Sequence, residues 1–173
     1  MTRHYSAALP IAFVVLRLLI LLNWLIGTAI LALLLVMPNA QWIMSAFHIA
    51  PSPDTDRLIW GLRAVAALGV VTIPLNYFIL TRLLAMVGTV RKGDPFVAVN
   101  ARRLRGIAWV LVALQLLGIS IAAVGKAVST PAHPVHLDAG FSISGWLAVL
   151  LTFVLAGVFA EGARMREELE GTV

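Results

Sequence analysis

The sequence contains no cysteine. Disulfide bonds, thiolate metal sites and a cysteine nucleophile are therefore excluded. Charge is nearly as scarce: Asp, Glu, Lys and Arg make up 12% of the 173 residues, only 8 of them acidic, against 61% hydrophobic residues. A water-facing surface needs roughly 25–35% charged side chains, so most of the exterior of this chain must meet lipid. A soluble globular domain, a disordered chain, a coiled coil and a nucleic-acid-binding domain are excluded on the same ground. Also missing are an H-E-x-x-H zinc signature, a P-loop, a G-x-S-x-G elbow and a kinase-like set. No long apolar stretch contains a histidine, and Asp54, Asp56 and Asp138 all fall between such stretches. The groups an intramembrane protease needs are thus absent, and the expectation is a non-enzymatic protein without a cofactor.

What is present are four apolar runs, over about residues 9–37, 58–87, 104–128 and 141–163. Crossing a hydrocarbon core of about 30 Å takes roughly 20 helical residues, so each run is long enough. Unpaired backbone groups are too costly in lipid for any form but a helix or a closed barrel, and these runs lack the alternation of barrel strands. The segments between them, such as "APSPDTDR" and "STPAHPVHLD", read as loops. The expected fold is all-α: one integral-membrane domain over residues 1–173, built as a four-helix bundle. The first run exceeds the usual signal-peptide core of about 7–15 residues and no A-x-A-like site follows it, so it reads as a retained anchor.

Charge sets the expected direction. The segment between runs two and three carries Arg91, Lys92, Arg102, Arg103 and Arg105, whereas the other two connections carry only Arg57 and Lys126. Arg3 lies at the amino terminus, and Arg164 and Arg166 near the carboxyl terminus. The positive-inside rule then places both termini and the middle segment in the cytoplasm. That arrangement requires an even number of spans, in agreement with four. Arg63 and Arg82 are about 28 Å apart on one helix, and Arg105 and Lys126 about 31 Å. Both pairs are placed to snorkel to opposite interfaces.

Packing signals are fewer. Ser144, Ala148, Thr152, Ala156 and Ala160 recur every fourth residue and predict a ridge of small side chains for close helix approach. Gly118 and Ala122 form a shorter pair of the same kind. Asn23, Asn76, Gln115 and Glu161 are the candidates for buried polar residues within the runs, and hydrogen bonding between helices is their expected use. Pro74 is expected to loosen the second helix near its middle. Glu161 falls at the depth expected for Arg82 and Arg17, which makes an Arg82–Glu161 ion pair the candidate there.

The middle segment reads as more than a loop. Gly93 suits the residue just past a helix end, Asp94 an N-cap and Pro95 the first helical position. The second helix is thus expected to run to about Lys92, and the third to start at Pro95. The two would project beyond the membrane as a hairpin, with Phe96, Val97 and Val99 as its apolar component. The carboxyl terminus, with Glu167, Glu168 and Glu170 beside Arg164 and Arg166, is expected to prolong the fourth helix by two or three turns. That acidic end either leans on the basic hairpin or faces a partner with it.

These two segments, "VRKGDPFVAVNARRLR" and "VFAEGARMREELEGTV", resemble a bacterial family of four-helix membrane proteins, the domain of unknown function numbered 2975. The matching positions are Gly93, Pro95, Phe96, Asn100 and Leu104, then Phe159, Gly162, Glu167, Glu170, Gly171, Thr172 and Val173. Ala163 and Met165 depart from it, standing where bulkier or polar residues are expected. Members of that family are often encoded beside a small helix-turn-helix regulator of the Xre type. The resemblance therefore implies a membrane protein that binds and restrains a DNA-binding partner. The expected docking residues are Gly93, Asp94, Pro95, Phe96, Asn100, Arg103, Glu167 and Glu170. The other readings are a small transporter or channel subunit, with Asn23, Asn76 and Gln115 lining a path in a homo-oligomer, and an accessory subunit of a larger complex.

His133 and His136 with Asp138, joined by His48, have donor types that suit zinc or copper or a pH sensor. Pro131 and Pro134 favour a plain solvated loop, and no metal is assigned. The stretch "QWIMSAFHI" reads as interfacial, with Trp42 and Phe47 at headgroup depth.

Overall fold

The computed structural model describes residues 8–36, 53–129 and 140–170. Among these, all regular structure is helical: α1 (Ala8–Val36), α2 (Pro53–Arg91), α3 (Ala98–Val128) and α4 (Ile143–Glu170). Each contains a stretch long and apolar enough to cross a membrane, of 27, 33, 31 and 27 residues respectively. The protein is thus an all-helical, multi-pass membrane protein by length and composition. The 39 residues of α2 make it about 58 Å long, well beyond a hydrocarbon core, as the hairpin reading requires. Pro74 removes one backbone donor, yet α2 continues through it. Neighbouring helices and hydroxyl side chains make such a residue tolerable in a membrane helix.

The surface is inverted relative to a soluble protein. Leu21, Leu25, Leu35, Trp60 and Ile143 are all exposed by 66% or more, while the buried positions include Ala101, Ala108, Ala156 and Ala163. Lipid tails are as apolar as leucine, so helix contacts in a membrane depend on close packing of small residues. Hydroxyl groups on the helices are satisfied locally. Thr28, Thr72 and Thr89 donate to the carbonyl three residues back, and Ser120 and Thr152 to the one four back, at 2.7–3.0 Å. No water is needed to pair them.

Two compact units divide the chain. One comprises Trp24–Pro74 and Leu114–Ser142. There Gly27 of α1 lies against Ile73 of α2, and Gly61 of α2 lies so close to Val128 of α3 that no side chain fits. The Gly118–Ala122 pair of α3 is occupied by the backbone turn at Gly140 rather than by a helix. The other unit comprises Met1–Asn23, Leu75–Ala113 and Ile143–Val173. Its most buried helix face is on α3: Asn100, Ala101, Leu104, Ile107 and Ala108. That spacing is one stripe of an α-helix.

In α4 the expected ridge is not the packing seam. Ala156 is buried at 2% exposure, but Ser144, Ala148 and Ala160 are exposed. The seam runs instead through Val149, Ala156 and Ala163, seven residues apart. A step of four residues rotates the contact by about 40°, so a four-step ridge winds far around the helix, whereas seven residues drift by only about 20°. Trp109 of α3 meets Phe153 edge-on here, with ring centroids 5.5 Å apart.

Candidate functional site

The site forms where the end of α2, the start of α3 and the end of α4 come together in the unit containing Leu75–Ala113. The chain leaves α2 through a Schellman motif. The Gly93 N–H donates to the Val90 carbonyl at 2.9 Å, and the Asp94 N–H to the Thr89 carbonyl at 3.1 Å. Gly93 has a φ of 83°, a left-handed conformation that costs an L-residue roughly 1–2 kcal/mol. The expectation at Gly93 is met. Those at Asp94 and Pro95 are not: α3 begins at Ala98, three residues later than expected. Asp94 has its backbone engaged in closing α2 and its carboxylate turned to the tail, so it does not cap α3.

The polar side chain at the start of α3 that holds the turn is Asn100, which is wholly buried at 0% exposure. Its Nδ2 donates to the Pro95 carbonyl at 2.9 Å and to Thr89 Oγ1 at 2.7 Å. Its Oδ1 accepts from Arg103 at 2.9 Å, and that guanidinium also reaches the Ala85 carbonyl at 3.4 Å. Thr89 passes the chain of bonds on to the Met86 carbonyl at 2.7 Å. One amide thus ties α2, the turn and α3 together, with every polar atom satisfied as a low-dielectric site demands.

The tail is fastened to the same turn. Asp94 and Arg166 form an ion pair, with polarity opposite to expectation: the turn supplies the acid and the tail the base. The Phe96 ring also meets Phe159 of α4 at a tilt of 40°, with centroids 5.1 Å apart. The close approach is possible because α4 has a glycine at 162. A Cβ there would lie 2.9 Å from Phe96 Cδ1.

The expected docking set therefore divides. Asn100 is sealed inside and cannot touch a partner, and Arg103 is used within the chain. Asp94 and Pro95 are half-buried, while Gly93, Phe96 and Glu167 are exposed. The side chain of Glu170 lies outside the described ones. The Arg82–Glu161 pair does not form: Glu161 meets Arg164 at 2.7 Å, and Arg82 lies over the Phe78 ring at 4.7 Å. A partner one turn away on the same helix is reached more easily than one across a helix interface. Asn23, Asn76 and Gln115 are half-buried, but the two asparagines belong to one unit and Gln115 to the other. His48, His133, His136, Trp42 and Phe47 lie outside the described residues.

Sequence reasoning missed Thr89 and Arg166, and it misplaced Asn100. The signal for Asn100 was present: it shares the helical stripe of Ala101, Leu104, Ile107 and Ala108.

A family model described as Protein of unknown function (DUF2975) matches residues 41–173. The chain belongs to this family. No curated protein and no solved structure matches it. The DUF2975 match covers α2, α3 and α4 entire and leaves α1 outside. Within the DUF2975 region, six of the twelve positions that carried the resemblance, Gly93, Phe96, Asn100, Leu104, Phe159 and Gly162, take part in this one turn-and-tail assembly or in the buried α3 stripe.

Proposed function

We infer that this protein is a non-enzymatic regulator of the bacterial inner membrane, with both termini and the α2–α3 turn in the cytoplasm. There the turn and tail dock a small helix-turn-helix transcription regulator and restrain it. The observation that carries this reading is an apolar surface on the part of α4 that runs past Glu161. Met165 is 52% exposed and Leu169 71%, on the helix whose Arg166 pairs with Asp94 of the turn, where Phe96 is 43% exposed. Two apolar residues four apart on a charged, projecting helix make a ridge that an amphipathic partner helix covers. The association of the family with Xre-type regulators supports the choice of partner.

The test is co-expression of the full chain with the product of the adjacent gene, followed by purification through the membrane protein. Retention of a small DNA-binding protein, and its loss in a Met165→Glu/Leu169→Glu variant that still elutes as wild type, is the expected result. Clean purification of the membrane protein alone from co-expressing cells would overturn it.

Orientation has its own measurement. Because cysteine is absent, single Gly93→Cys and Glu167→Cys variants each carry one thiol. Both are expected to resist a membrane-impermeant maleimide added outside intact spheroplasts and to react after lysis. Labelling of either from the outside would reverse the assignment.

A further inference from the structure

The positive charge at this end of the molecule is distributed in a way that topology alone does not require. Arg17 of α1 lies over the Phe13 ring at 4.5 Å from its centroid, and Arg91, in the last turn of α2, lies over the same ring at 5.3 Å. Two guanidinium groups from different helices therefore converge on one aromatic ring. Ion pairs among the described residues include Arg164 with Glu161 and Glu168, and Arg166 with Asp94. Neither Arg17 nor Arg91 has a carboxylate within reach among those residues. Both are exposed, and Phe13 is half-buried.

Their depth points to what completes the charge. From Leu18 to Leu35, α1 carries no charged residue, a length of about 27 Å that nearly matches a hydrocarbon core. Arg17 then stands at the edge of the core and the Phe13 ring about one turn further out, at the level of lipid phosphates, where the Arg91 guanidinium reaches it. Arginine presents a planar fork of donors that suits a phosphate oxyanion, and stacking on a ring holds that fork in place before binding.

We propose that Arg17, Arg91 and Phe13 form a binding site for the phosphate group of an anionic phospholipid. The ring orients the two guanidiniums, which donate to the phosphate oxygens, and the acyl chains lie along the exposed apolar surface of α1. This site clamps α1 to the end of α2 when lipid is bound. It does not depend on the docking of any regulator.

The test uses the full-length protein in a neutral detergent, titrated with phosphatidylglycerol or phosphatidylcholine, with bound lipid counted by native mass spectrometry. Wild type is expected to retain phosphatidylglycerol preferentially. Arg17→Gln and Arg91→Gln should each weaken that retention about fivefold, the usual effect of one arginine at an anionic surface, and Arg102→Gln by less than twofold. Equal losses in all three variants would show diffuse charge attraction and overturn the site. Arg91→Lys, which keeps the charge and secures the fold, is expected to bind less well than wild type through loss of the fork, and wild-type binding by it would likewise count against the proposal. A large excess of inorganic phosphate should displace little lipid. Full displacement would identify a site for soluble phosphate and remove the lipid assignment.

Discussion

Replacing Asn100 with leucine is expected to destabilise the protein by about 2–4 kcal/mol. The side chain makes three hydrogen bonds at 2.7–2.9 Å from a position with no exposure. Hydrogen bonds between membrane helices average only about 0.6 kcal/mol, so bond loss alone does not reach that figure. The remainder comes from what is left behind: the Pro95 carbonyl loses its side-chain donor, and Arg103 loses its acceptor beside a buried face. Thr89→Val should cost less, about 1 kcal/mol, and the two substitutions should be non-additive because they remove a shared bond. Asn100→Asp separates the parts, since it keeps an acceptor for Arg103 and loses both donors; its expected effect lies between wild type and leucine. Equilibrium unfolding in mixed micelles, followed by tryptophan fluorescence, measures wild type, the three single variants and the double variant. A change below about 0.5 kcal/mol for Asn100→Leu would mean that the amide does not brace the turn.

Gly162→Val is expected to be the next most damaging substitution, at about 1–3 kcal/mol, the usual range for overpacking. Even a methyl group at this position would lie 2.9 Å from the Phe96 ring, and valine adds two more carbons. The ring cannot retreat freely because Phe159 lies against it. The expected consequence is a tail no longer held to the turn, seen as faster tryptic cleavage after Arg164 and Arg166 while the membrane-embedded part resists. Removing the ring should relieve the clash. In a Phe96→Ala background, Gly162→Val should cost at least about 1 kcal/mol less than in wild type, a coupling expected of residues in direct contact. Strict additivity would place the source of the damage elsewhere. The Asp94–Arg166 pair is a smaller contributor here, since both side chains are partly exposed and such pairs are worth only about 0–1 kcal/mol.

Legibility differed by element. The four helices follow from run length and from the cost of unpaired backbone in lipid, and Gly93 marked the end of α2 because few residues tolerate positive φ. The start of α3 was misread because Asp94 and Pro95 suit a helix start and suit a turn equally well. What separates the two is whether the Asp94 N–H closes the previous helix, which it does, at Thr89. The ridge on α4 was misread for a geometric reason, since fourfold spacing marks a line of small residues but not the direction of a neighbour. The Arg82–Glu161 pair rested on depth alone, and equal depth does not place two side chains on facing surfaces.

By itself, the sequence determined that the chain is helical and multi-pass, because solvation by lipid acts on every residue of a run and its total is large. It also set the basic character of the α2–α3 segment. Only the tertiary structure decided that Asn100 is a buried tie rather than a docking residue, that Asp94 holds the tail through Arg166, and that Arg17 and Arg91 share Phe13. Each of those outcomes depends on the rotation of one helix about its axis relative to another. A difference of one residue changes that rotation by about 100°, and a run that is apolar on all sides carries little to fix it.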